Sequence, residues 1–281
     1  MTLVTKFSDG CGFFEFDIAT PLFQQLSSDF DLLTPLPLED LSLASVEERP
    51  GIYGLHYNEK VVYIGKADDS AKGRLEKHHR QLQGRVGISP GDVSFRCLHF
   101  AHTWDAFKPE SYMISLSSPS WNSRGFGPND PGRRRDKTRL ADNHWHVLYP
   151  VDPDYPCSEI PSGTYDILEL LRLICKNAPY WIRFQGNRNG DTDEEKCSYE
   201  QAHSDFSASK EILIYEPGMS VRSLLLMAVQ SLPAPNEWQL TLLPSHILLY
   251  RERGEVYPRM QLLWPPSGTN APDQKRGAAL A

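Results

Sequence analysis

Cysteine is scarce in this chain: five among 281 residues (Cys11, Cys97, Cys157, Cys175 and Cys197), odd in number, with no Cys-x-x-Cys pair and no Cys/His grouping at zinc spacing. That excludes a disulfide scaffold and a zinc ribbon, and leaves buried reduced thiols as the expectation. Long apolar runs are also lacking. The stretches at 224–229 and 240–249 fall far short of the roughly 20 residues of a membrane helix. Residues 1–9 have no basic-then-apolar leader pattern, so a cytoplasmic protein with no membrane partner is expected. A basic excess is missing too: the net charge is −7, which by itself counts against a phosphate-backbone partner.

The distribution of charge reverses that last impression. Residues 1–50 carry 2 basic against 9 acidic side chains, residues 51–139 carry 15 against 9, and residues 140–281 carry 12 against 18. The basic excess is confined to one third of the chain. With 40% hydrophobic and 23% charged residues the composition is that of a globular protein able to bury a core.

Periodicity and turn chemistry divide the chain into an irregular arm over 1–45 with one short helix near 21–27, a core over 46–140, an α+β region over 141–265, and a disordered tail from 266 to 281. There is no internal repeat, which excludes solenoid architectures. In the core, residues 51–57 and 61–65 read as strands joined by a tight turn at Asn58-Glu59-Lys60. Asp68, Asp69 or Ser70 caps a helix from Ala71 to about Gln83, with Leu75 and Leu82 on its apolar face and Arg74, Lys77, His78 and Arg80 polar. A strand over 93–100 and a helix opening at Pro109 and running to about 116 follow, then a loop over 117–136 in which Trp121 and Phe126 argue for order. Beyond it we expect helices over 165–176 and 220–232 and strands over 180–185, 211–215, 238–243, 247–251 and 257–263. The fold class is α+β.

The hairpin spacing lets the phenols of Tyr53 and Tyr63 meet on one face, an arrangement that by itself is common packing. Arg74 and His78 lie four apart on the next helix, where a guanidinium and an imidazole can address one phosphate, or simply form a solvated face. Glu110 stands in the first turn of the helix opening at Pro109. A single carboxylate with retained waters is how proteins commonly hold Mg²⁺ beside a substrate phosphate, and an exposed first-turn glutamate is the plain alternative. Twelve residues on, the amide of Asn122 can hold a phosphate or a metal ligand in place.

In this order, Gly51-Ile52-Tyr53, Tyr63-Ile64-Gly65-Lys66, Arg74, His78, Glu110 and Asn122 resemble the GIY-YIG nucleases over residues 45–136. The Trp121-Asn122-x-x-Gly125-Phe126-Gly127 loop, the following Asp130-Pro131-Gly132 and the later Pro179–Phe184 segment resemble the type II restriction endonucleases that cut GC-rich palindromes. The resemblance implies a GIY-YIG core, a small antiparallel sheet flanked by helices, and a site-specific DNA endonuclease. Tyr53, Tyr63 and Lys66 would stand in its active site, with Arg74 on the scissile phosphate and His78 assisting proton transfer. Glu110 would ligate one Mg²⁺, for which Mn²⁺ can substitute, and Asn122 would complete the pocket. The expected water-activating group is Tyr53, its phenol lowered by Lys66 or Arg74, with His78 as relay or competing base.

Double-stranded DNA is the expected partner, contacted by Arg124 and by the run Arg133, Arg134, Arg135, Lys137 and Arg139, though such a run is equally a solvated face. Cutting both strands of a palindrome with one site per chain calls for a homodimer. His144-Trp145-His146 has metal-like spacing but sits in a strand-like stretch with no third ligand, and is assigned no site. A non-catalytic DNA-binding module and a repair-type structure-specific nuclease are the competing readings.

Overall fold

Positive backbone φ at both Asn58 (49°) and Glu59 (62°) closes the central hairpin in the two-residue turn that matches strand twist. The computed structural model describes residues 4–8, 11–15, 19–100, 109–127, 136–185 and 203–266. These fall into two compact units, residues 1–79 with 90–127 and residues 80–89 with 128–281.

In the first unit, β1 (Val4–Ser8) pairs with β2 (Cys11–Glu15) as a separate hairpin. The main sheet has the order β3 (Leu36–Pro37), β6 (Val93–His99), β4 (Gly51–Tyr57), β5 (Lys60–Ala67), antiparallel throughout. One face is covered by α1 (Ala19–Leu32) and α4 (Pro109–Ser117), whose Leu26, Phe30 and Met113 form a core with Ile52 and Ile64. The short helix expected near 21–27 within the arm is a 14-residue helix over 19–32. The polar positions between its apolar ones hid a stripe, Leu26 to Phe30, that only the sheet makes into a buried face. The opposite sheet face carries α3 (Ala71–Gln83). A short helix, α2 (Asp40–Ala44), precedes β4.

The second unit has a sheet ordered β12 (Gln261–Trp264), β10 (Gln239–Leu242), β11 (His246–Tyr250), β8 (Trp181–Phe184), with β8 and β11 parallel, and a two-stranded ribbon of β7 (Gly163–Tyr165) and β9 (Ile212–Ile214). Its core joins α7 (Ile167–Asn177) and α9 (Val221–Ser231) to this sheet. The spacing Ile167, Leu170, Leu171, Ile174 buries one stripe of α7, and the Asp166 carboxylate caps it by accepting from the Glu169 N–H at 2.8 Å. α8 (Ser204–Ser207) sets Phe206 into the same core.

His144-Trp145-His146 is not strand-like. His144 caps a short helix, α6 (Trp145–Leu148), and the buried His146 Nδ1 lies 3.1 Å from the Arg85 guanidinium. Among the described residues no helix is long and apolar enough to cross a membrane.

Candidate active site

The register of β4 on β5 sets Tyr53 opposite Gly65 and Leu55 opposite Tyr63, so the two tyrosines are diagonal neighbours on the face that α3 covers. Their ring centroids are 6.2 Å apart. Gly65 makes this possible: a Cβ there would stand 2.5 Å from the Tyr53 phenol oxygen and 2.9 Å from the Tyr63 ring. A Cβ on Gly51 would likewise meet the Leu98 carbonyl of β6 at 2.6 Å, so close strand approach requires glycine there too.

α3 begins at Ser70, whose Oγ accepts from the Gly73 N–H at 3.0 Å. Sequence reading placed His78 on the polar side of this helix, but the structure buries it completely. The positions 71, 75, 78 and 82 follow the 3.6-residue period, so the imidazole shares a stripe with Ala71, Leu75 and Leu82, all of them buried. His78 Nε2 lies 3.0 Å from the Tyr53 Oη, and its ring centroid is 5.1 Å from that of Tyr63. Arg74, one turn earlier, remains exposed.

Glu110 enters from the first turn of α4 and is half-buried. Burial raises its carboxyl above the ordinary range, against the opposing pull of Lys66 and Arg74. Lys66 is itself paired with Asp68, Nζ to Oδ1 at 2.6 Å. The charges of Arg74 and Glu110 act on both phenols, which ties Tyr53, Tyr63, Arg74, Glu110 and, through its hydrogen bond, His78 into one cluster.

The expectation that Lys66 or Arg74 lowers the Tyr53 phenol is not met. Burial first, and then the Tyr63 phenol, push it far up; Arg74 opposes this but does not win, because it is exposed and screened while the phenol is nearly fully buried. Tyr63 is also raised, by burial and by Glu110. Both tyrosines are neutral hydrogen-bonding groups here.

Asn122 stands on α5 (Ser120–Ser123) within the stretch expected to be loop. Its Oδ1 accepts from the Ile64 N–H at 2.9 Å and its Nδ2 donates to the Ile64 carbonyl at 2.8 Å, so the amide clamps α5 to β5 between Tyr63 and Gly65. Phe126, expected to order the loop but assigned no place in the site, is buried between His78 and Trp121, at centroid distances of 4.9 and 4.8 Å. The only signal for it was an aromatic residue flanked by Gly125 and Gly127.

Of the basic residues expected to meet DNA, Arg133, Arg134 and Arg135 lie outside the described residues. Arg124 is half-buried just after α5, and Arg139 is exposed. Lys137 is exposed but pairs with Glu255 at 2.5 Å, with Glu252 and Asp136 adding negative charge, and these raise its ammonium. Sequence gave no hint of a buried network in the second unit. Asp136 Oδ1 accepts from Arg183 at 2.9 Å and lies 2.6 Å from His246 Nε2, whose Nδ1 is 2.7 Å from the Ser245 Oγ.

Glu110 is a half-buried carboxylate on which the Asp68 charge also acts, and among the described residues no three His, Cys, Asp or Glu side chains are grouped to hold a metal. One carboxylate plus waters and substrate oxygens is the Mg²⁺ pattern. No protein-family model matches the chain, and no curated protein matches it significantly.

Proposed function

We propose that this chain is a GIY-YIG endonuclease that hydrolyses phosphodiester bonds of double-stranded DNA at a GC-rich palindrome, as a cytoplasmic homodimer with one Mg²⁺ per active site. The observation that carries the reading is the meeting of Tyr53 with His78, at 3.0 Å, beside Tyr63 on the face that α3 covers, with the charges of Arg74 and Glu110 acting on both phenols. Phosphate chemistry needs a proton acceptor for the attacking water, a cation for the non-bridging oxygens and a carboxylate to hold a divalent ion. The cluster supplies each.

Because both phenols are neutral, Tyr53 works as a donor and relay rather than as a standing phenolate. Its hydroxyl lies 3.0 Å from His78 Nε2; with Nε2 unprotonated, the phenol oxygen's lone pairs would accept a proton from water as its own proton passes to the imidazole. Arg74 offers a fixed positive fork to phosphate oxygens. Glu110 would hold Mg²⁺, which would supply Lewis acidity to the phosphate oxygens. Asn122 holds α5 on β5.

The test is incubation of the purified protein with DNA carrying all common GC-rich palindromes, with and without Mg²⁺, followed by sequencing of the ends. Discrete metal-dependent fragments ending at one palindrome are expected. Tight binding without cleavage would favour a non-catalytic module, and random nicking a repair-type nuclease.

A further inference from the structure

We infer that Phe126 is a positioning residue for His78: its ring sets the plane of the imidazole and keeps water from it, so that Nε2 stays aimed at the Tyr53 hydroxyl. The role in cleavage rests on the nuclease reading above; the positioning itself does not.

The hydrogen bond between Tyr53 and His78 places one imidazole nitrogen, and the second torsion of a histidine side chain has broad, roughly two-fold wells. A flat surface against the ring narrows that torsion. Phe126 supplies it, stacked on the imidazole at a centroid distance of 4.9 Å and an interplanar angle of 21°. The same ring meets Tyr63 edge-on, at 5.1 Å and 77°, so it touches both partners of the Tyr53 side chain.

Phe126 is itself held from two sides. Its N–H donates to the Trp121 carbonyl at 3.3 Å, and Gly125 just before it takes a left-handed φ of 81° that turns the chain back toward the sheet. The Asn122 clamp on Ile64 fixes α5, and with it the segment that carries Phe126. Phe126 is only 6% exposed and His78 is fully buried, so the stack is also the cover over the imidazole.

The experiment uses the full-length protein with ¹⁵N-labelled histidine, His78 being assigned by its loss in His78→Gln. Wild type, Phe126→Leu and Phe126→Ala are compared for imidazole ¹⁵N shifts, thermal unfolding, DNA affinity and, where cleavage is seen, kcat against pH. The wild type is expected to show the shifts of a single fixed tautomer. Phe126→Ala should give the averaged shifts of an exchanging ring, a kcat at least tenfold lower, an altered pH profile and unchanged DNA affinity. Phe126→Leu, which keeps apolar cover but not the flat face, should fall between.

Unchanged nitrogen shifts in both variants would overturn the inference. So would a loss of kcat that merely follows DNA affinity or unfolding. If the wild type cuts no DNA, the nuclease reading fails, and the nitrogen shifts still decide the positioning role.

Discussion

Gly65 lies under the ring of Tyr53 so closely that a Cβ at position 65 would stand 2.5 Å from both the phenol oxygen and its ring carbon. The glycine is the floor on which the Tyr53 and Tyr63 rings rest, and its lack of a side chain fixes the height of the phenol above the sheet. Gly65→Ala should therefore displace Tyr53 from His78. We expect cleavage to fall about 100-fold or more, as it does when a catalytic group is misplaced by about an ångström. Unchanged kcat in a folded Gly65→Ala protein would refute this.

Tyr53→Phe removes the hydroxyl that meets His78 and should lower kcat by roughly 10²–10⁴-fold, the usual worth of a positioned proton-transfer group, with DNA affinity nearly unchanged. Single-turnover cleavage and a binding isotherm separate the two. Parallel loss of binding would point to a structural role instead.

Glu110 has a carboxyl raised by burial, so the folded protein holds this proton to higher pH than the unfolded chain does. The stability tied to it is present at acid pH and is lost as pH rises through the shifted value, leaving the carboxylate destabilising at neutral pH. Glu110→Gln should then unfold at a higher temperature than wild type at neutral pH without metal, while Mg²⁺ should raise the unfolding temperature of wild type only. Removal of Mg²⁺ by chelator should abolish wild-type cleavage. Equal Mg²⁺ stabilisation of both proteins would place the ion elsewhere.

Lys137 is neutralised by Glu255 in an acidic surrounding, in contrast to the exposed Arg139. Lys137→Ala should leave both DNA affinity and its salt dependence nearly unchanged, because no phosphate contact is lost. A salt slope reduced by about one unit would assign Lys137 to the DNA surface after all.

Asp136 is the carboxylate partner of the buried Arg183 guanidinium, whose side chain is 2% exposed. Removing it in Asp136→Ala should cost about 3–5 kcal/mol in denaturant unfolding, the usual loss when one member of a buried ion pair is removed. A loss near that of an exposed pair would show that water reaches Arg183.

Much of the first unit was legible in the sequence because local chemistry decides it. The turn at Asn58-Glu59 needs two residues tolerant of positive φ, and the capped run from Ala71 to Gln83 is bounded by Ser70 and by the end of its apolar period. The helix over 19–32 was less legible, since its apolar stripe acquires meaning only against Ile52 and Ile64. The members of the candidate site could be picked out from spacing and resemblance, but not what each of them touches.

The sequence by itself determined which residues are candidates to carry chemistry and which segments can be strand or helix, since side-chain identity, turn preference and periodicity act over a few neighbouring positions. Only the tertiary structure decided that His78 is buried rather than solvated, that Tyr53 is raised rather than lowered, that the Asn122 amide binds the Ile64 backbone, and that Phe126 lies on the imidazole. Burial, desolvation and stacking arise from groups distant in sequence. Position 78 meets position 53 across 25 residues and position 126 across 48, and no local pattern encodes the surface that either one finds.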